Sequence, residues 1–250
     1  MILAGLIPAC IAAALGSLIL GLRGHYFAIC TLGIGIAAGE LATSMSIWGG
    51  GQGMTVPVWP KVDGQEIDIL GGSVNFFYTL TFILFFITYF FLRWLFSTRF
   101  GLILTAIRDN EDKAEAMGIP TMRYKVTGWV VSAFFMGIAG AIYGNINGYI
   151  EPTEVAFAGA TVGVYMVLMA ILGGKGTLWG PVIGATVFHI FKEGFWTFFL
   201  GWQYVALGVL IVVIVIYFPE GIMGWLREKY PERFGEVVDE ADRKAQVEIK

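Results

Sequence analysis

Charge is what this sequence has least of. Of its 250 residues only 14% are Asp, Glu, Lys or Arg, whereas soluble domains run near a quarter. Histidine occurs twice, and cysteine twice, at Cys10 and Cys30. Without an H-E-x-x-H pair or a serine in a G-x-S-x-G setting, the chain lacks the side chains of a zinc hydrolase or a serine esterase. An enzymatic role is not expected, and neither is a metal or other cofactor. Both cysteines stand in apolar runs without metal-ligand spacing and read as small buried hydrophobes. No basic stretch precedes the first apolar run, which starts at Ile2. It reads as a membrane span rather than a removable leader.

What is present is apolar: 57% of residues, with a mean hydropathy of +0.73. That composition is of an integral membrane protein. A span needs about 20 mainly apolar residues. Runs of that kind are expected at 2–20, 26–48, 73–96, 126–145, 155–172, 181–200 and 203–218, the fifth rather short. The expected fold is therefore an all-α polytopic membrane protein, a helical bundle of about seven spans.

Orientation follows from Lys and Arg. The loop 97–125 carries Arg99, Arg108, Lys113, Arg123 and Lys125, and the loop 49–72 only Lys61. Basic loops stay in the cytoplasm, which puts 97–125 inside and 49–72 outside. Counting crossings, Arg23, Lys175, Arg227 and Lys229 also fall inside, and the N-terminus falls outside. Glycine pairs at spacing four are frequent: Gly35/Gly39, Gly140/Gly144, Gly144/Gly148, Gly159/Gly163, Gly176/Gly180 and Gly180/Gly184. They are read as sites where helix backbones touch.

The loop 97–125 is the one long polar segment between apolar ones. Phe100 to Ile107 is apolar enough to prolong the third span or to lie along the surface. Asp109 or Asn110 can cap a following helix, and Glu111 and Asp112 suit its first turn. Lys113, Ala114, Glu115, Ala116 and Met117 continue it. Gly118 tolerates the positive φ of a helix end, and Pro120 blocks continuation. A helix of about two turns is not stable alone in water, so it must be held by the protein or by a partner. Ala114 and Met117 are expected on one face and Glu111 and Glu115 on another. That leaves two readings of the loop: a docking element for a soluble partner, or a connector on the membrane surface.

The loop, with Glu115, Ala116 and Gly118 at its core, resembles the cytoplasmic coupling loop of ABC importer permeases. RGHYFAICTLGIG (23–35), GGGQGM (49–54), TRFGLILTAIRDNEDKAEAMGIP (98–120), RYKVTGWVVSAFFMGIAGAIYG (123–144), LGGKGTLWGPVIGA (172–185) and YFPEGIMG (217–224) extend the likeness. Over roughly residues 5–226 the chain resembles the branched-chain amino acid ABC transporter permease family, in its LivM-type subunit. The resemblance implies a transmembrane permease domain over 1–225 and a cytoplasmic charged tail over 226–250. It implies a second, LivH-type permease, two cytoplasmic ABC ATPases and an extracytoplasmic amino acid binding protein as partners. It makes 97–125 the coupling loop, with Asp109, Glu111, Ala114, Glu115, Ala116, Met117 and Gly118 contacting an ATPase. Thr31, Gly33, Gly35 and Glu40 are the candidate translocation path.

Two departures stand out. The family carries further amino-terminal spans with an LGxxGxxSLGH-like stretch that this sequence lacks, so the chain is expected to be a fragment, a sequence with a mis-called start, or a shortened subunit. The family also has Glu five residues after the Thr of its TLG motif. Here that position is Ile36, and the nearest acid is Glu40.

Other polar residues have plainer readings. Glu40 lies within a span, where a carboxylate needs water or a partner. His189, Lys192 and Glu193 fall within one turn and are expected to form a structural ion-pair cluster. Asn145 and Asn147 read as helix-capping residues. The run Gly173 to Thr177 lacks the G-x-x-x-x-G-K-[ST] spacing of a phosphate loop and reads as a turn between helices. A stand-alone secondary transporter or channel for a small polar solute, with Glu40 and His189 as coupling sites, is the alternative function.

Overall fold

The structure, a computed structural model, describes residues 1–22, 25–46, 49–56, 61–62, 65–66, 73–157, 163–174, 176–198, 205, 208–209, 212 and 221–224. It falls into two compact units, Met1–Gly159 and Ala160–Lys250. The first holds α1 (Ile2–Ile19), α2 (His25–Ser44), α3 (Ser73–Phe96), α4 (Arg99–Asp109), α5 (Glu111–Ala116) and α6 (Thr121–Asn147). The second holds α7 (Val164–Gly173) and α8 (Gly180–Phe198). The strands are two-residue pieces: β1 (Met54–Thr55), β2 (Lys61–Val62), β3 (Gln65–Glu66) and β4 (Tyr149–Ile150). The chain is an all-α polytopic membrane protein.

Four described helices are long and apolar enough to cross a membrane: Ile2–Ile19, Tyr26–Ser44, Phe76–Phe96 and Thr121–Asn147. Of the expected fifth span, the described parts are a π-helical turn at Pro152–Ala156 and α7, 10 residues long, and 158–162 lie outside the described residues. The sixth is α8, which has the length but carries His189, Lys192 and Glu193. The seventh, 203–218, lies largely outside the described residues, and the tail 226–250 wholly so.

In lipid there is no hydrophobic force between helices, so close fit decides which of them associate. In the first unit α1 and α6 fit most closely, running antiparallel. Gly5, Ala9, Ala12 and Gly16 form the buried stripe of α1. A Cβ at Gly16 would stand 3.2 Å from Trp129 Cδ1, and one at Gly5 would press into the Phe134 ring at 2.7 Å. Pro8 has no N–H to give the Ala4 carbonyl. That carbonyl faces Gly137, where no Cβ would fit. In the second unit, a Cβ at Gly173 would overlap the Gly180 carbonyl, and one at Gly184 the Met169 carbonyl. Phe188 and Leu172 are the buried centre of this contact.

Small residues thus do bring backbones together, but only some of the expected glycines take part. Gly180 and Gly184 sit at close contacts, whereas Gly35, Gly140, Gly148 and Gly163 have nothing near the position of a Cβ among the described residues. Gly5, Gly16 and Gly137, which belong to none of the expected pairs, carry the α1–α6 contact. Cys10 is exposed and Cys30 half-buried, so the expectation of two buried thiols is corrected.

α3 turns a stripe outward: Tyr78, Phe82, Phe86, Phe90 and Trp94, all exposed and four residues apart. Amphipathic rings at the two ends and phenylalanines between them match the pattern of a lipid-facing surface.

Candidate functional site

α6 is the helix on which the site is built. Phe27 at the start of α2 meets Trp129 edge-on at 5.9 Å. Phe91 of α3 lies 5.2 Å from Phe135. Phe100 of α4 lies 5.6 Å from Tyr124. A single 27-residue helix therefore collects α1, α2, α3 and α4.

The third span ends at Phe96. Ser97 and Thr98 turn the chain, their hydroxyls donating to the carbonyls of Trp94 and Leu95. Gly101 permits the sharp reversal, since a Cβ there would overlap the Phe96 backbone. Phe100 to Ile107 therefore does not prolong the span. It forms the separate helix α4, which buries Gly101 and Ile107 and exposes Leu102.

α5 follows after one residue. Asn110, not Asp109, is the cap: its Oδ1 accepts from the Lys113 N–H at 2.9 Å. Asp109 instead pairs with the neighbouring Arg108 at 2.9 Å, both well exposed. At the far end Gly118 takes φ +82°. The Gly118 N–H donates to Glu115 O and the Ile119 N–H to Ala114 O, at 2.9 and 3.2 Å. These are the two bonds of a Schellman motif, so both ends of this six-residue helix are closed.

What the sequence did not disclose is how α5 is anchored. Lys125 Nζ, in the second turn of α6, lies 2.7 Å from Glu111 Oε1. Ala114 is buried at 2% exposure, while Met117 is 74% exposed. The expected apolar edge of Ala114 with Met117 is therefore corrected, because Ala114 fixes α5 to the protein and Met117 stands free of it. Glu111 likewise turns inward. Asp112, Lys113, Glu115, Ala116, Met117 and Gly118 form the exposed side.

The same end of α6 holds the α1–α2 turn. Leu20, Leu22 and Phe27 line an open groove of about 480 Å³ with Arg108, Glu111 and Lys125. The opposite end holds the segments near 49–56 and 149–150, where β1 pairs antiparallel with β4. Of the segments grouped by charge, the α1–α2 turn and the 97–125 loop lie at this one end of α6, and Arg227 and Lys229 of the tail lie outside the described residues. Arg23 and Lys175 lie outside the described residues.

The four candidate path residues do not share a face. At 100° per residue, Gly33 and Glu40 project the same way, and Thr31 and Gly35 lie nearly opposite. Glu40 is exposed and has no hydrogen-bond or ion-pair partner among the described residues. Thr31 directs its hydroxyl to the carbonyls of Phe27 and Ala28. In α8, His189 is exposed and Lys192 lies 5.8 Å from the centre of the Tyr165 ring. Asn145 bonds back to Ala141 O, and Gly148 in the left-handed region ends α6. Gly174 and Thr177 make the turn between α7 and α8, with Thr177 Oγ1 accepting from the Gly180 N–H. No group of His, Cys, Asp and Glu suited to a metal occurs among the described residues.

The model of the family described as branched-chain amino acid transport system / permease component matches residues 1–216. The chain belongs to this family. A high-affinity branched-chain amino acid transport system permease protein LivM from Salmonella typhimurium is 27% identical over 258 residues, covering 95% of this chain and 60% of its own. A probable branched-chain amino acid transport permease protein LivM from Methanocaldococcus jannaschii is 28% identical, with 81% and 61% covered. A high-affinity branched-chain amino acid transport system permease protein LivH from Escherichia coli is 28% identical over 129 residues, with 51% and 40% covered. The chain spans about 60% of the length of the LivM relatives it matches. No solved structure gives a significant match. With its span-length apolar helices, this member of the permease family is a membrane-embedded, multi-pass protein.

Proposed function

We propose that this chain is a membrane-spanning permease subunit of an ABC importer. With a second, LivH-type permease it forms the path for branched-chain or related hydrophobic amino acids. ATP is hydrolysed in two separate cytoplasmic subunits, and an extracytoplasmic binding protein delivers the amino acid. The loop 97–125 and the C-terminus face the cytoplasm, and 49–72 faces outward. The permease domain spans 1–225 and the charged tail 226–250.

One observation carries this reading. Among span-length apolar helices stands a six-residue helix, closed at both ends, with its outer side uncovered. A helix that short is marginal alone, and its caps and the Glu111–Lys125 pair make it a rigid lug. α5 is thus the coupling helix. Glu111, Ala114, Glu115, Ala116, Met117 and Gly118 build it, Asp109 stands just before it at the end of α4, and the exposed members of this set meet the ATPase. Glu40 and Gly33 on α2 face the path, with Thr31 and Gly35 shaping the helix behind them.

A second reading rests on the exposed Glu40: a secondary carrier that uses this carboxylate for ion coupling. Uptake of radiolabelled leucine into energised membrane vesicles separates the two. The importer requires ATP in the presence of an uncoupler. Uptake abolished by the uncoupler with ATP still present would favour the carrier.

A further inference from the structure

The end of α6 remote from α5 is built as carefully as the near end. Gly148 closes the helix at φ +68°, and the chain enters β4 directly. Met54 pairs with Ile150 and Thr55 with Tyr149. The Val56 N–H donates to Gly148 O at 2.9 Å, and the Tyr149 hydroxyl donates to Gln52 O. Gly53 sits at φ +69°, where a Cβ would stand 2.6 Å from Ile150 O and 3.0 Å from Glu151 Cα. Only glycine fits there.

This clasp grips the end of α2 at two points. The turn at Gly50 and Gly51 rests on Thr43, with a Cβ at Gly51 3.2 Å from Thr43 Cγ2. Phe157, just beyond β4, lies over Gly39, 3.1 Å from where its Cβ would be. Glu40, Leu41 and Ala42 lie between those two grips. The rest of α2 is held loosely, with exposed residues along most of its length.

We propose that α6 is a connecting rod that delivers displacement of α5 to the Glu40 end of α2. The near joint is Glu111 with Lys125, and the far joint is the clasp, with Gly53 and Tyr149 as positioning residues. This rests on the importer reading. A helix of 27 residues without internal proline spans about 40 Å, enough to link the two ends of the membrane region. The clasp stays closed throughout the cycle; it is a joint and not a gate.

The test uses the whole importer in proteoliposomes, measuring leucine uptake per ATP hydrolysed. The variants are Gly53→Ala and the double variant Thr55→Cys with Tyr149→Cys, in a background lacking Cys10 and Cys30. Because Val56 and Gly148 are a hydrogen-bonded pair, Thr55 and Tyr149 are the neighbouring non-hydrogen-bonded pair, whose Cα atoms lie close enough for a disulfide. Gly53→Ala is expected to lose uptake while ATP hydrolysis continues. The reduced double variant, lacking the tyrosine hydroxyl, is expected to lose uptake per ATP, and oxidation to restore it.

Inhibition of uptake on oxidation would overturn the proposal, because the clasp would then have to open. So would failure of the disulfide to form, or a Gly53→Ala protein that transports normally. Wild-type complex that takes up no leucine with ATP would instead overturn the importer reading, and the rod with it.

Discussion

Lys125 Nζ and Glu111 Oε1 lie 2.7 Å apart, with the two side chains only 19% and 25% exposed. They join the first turn of α5 to the second turn of α6 across fourteen positions of sequence. Removing one member leaves a largely buried charge without its partner, which costs more than the pair itself contributes. Glu111→Ala and Lys125→Ala should each lower the melting temperature of the purified chain. A double-mutant cycle should give a coupling of about 1–2 kcal/mol. The exposed Arg108–Asp109 pair should give less than about 1 kcal/mol.

The cap at Asn110 can be tested separately. Asn110→Ala removes the bond to the Lys113 N–H and should cost about 1 kcal/mol. Asn110→Asp should keep the bond. Hydrogen exchange over 111–117 should quicken about fivefold in the alanine variant and little in the aspartate variant.

Glycines at backbone contacts should behave differently from glycines in open space. Gly137→Val and Gly184→Val would drive side chains into the Ala4 and Met169 carbonyls. Both should reduce the yield of folded protein in membranes. Gly140→Ala and Gly194→Ala meet nothing within 4 Å among the described residues and should be tolerated. Thermal melting in detergent would rank all four.

Glu40 and Gly33 project from one side of α2, and no described residue covers a Cβ at Gly33. Under the importer reading, Glu40→Gln and Gly33→Leu should slow leucine uptake without weakening subunit assembly. Loss of assembly together with uptake would make this side a subunit contact and not a path wall.

Much of α5 was legible in the sequence because its ends are written in local chemistry. A capping residue, acids in the first turn and a glycine before proline need no tertiary information. The choice between Asp109 and Asn110 was not legible, because either side chain can accept a capping bond, and only the extent of α4 through Asp109 leaves Asn110 at the cap. Nor was the burial of Ala114, since a short helix carries too few residues for a pattern to show its inner side. The long apolar runs disclosed spans, but not the π-helical turn at Pro152–Ala156 where the fifth was expected to begin. The clasp was hidden altogether. Its strands are two residues long, its partners lie almost a hundred positions apart, and GGGQG reads as an ordinary loop until Ile150 is placed against Gly53.

The central claim is that α5 is the point at which ATPases attach. The most direct measurement is co-purification of the tagged chain, within its full complex, with its candidate ATPases. Wild type is compared with Gly118→Pro and Glu115→Arg. The first variant removes the N–H that closes the helix on Glu115 O and forces a residue that cannot take φ +82°. The second reverses a charge on the exposed side. The account predicts that wild type retains the ATPases and that both variants lose them while remaining in the membrane. ATPases that stay bound to both variants, or fail to bind wild type, would contradict it.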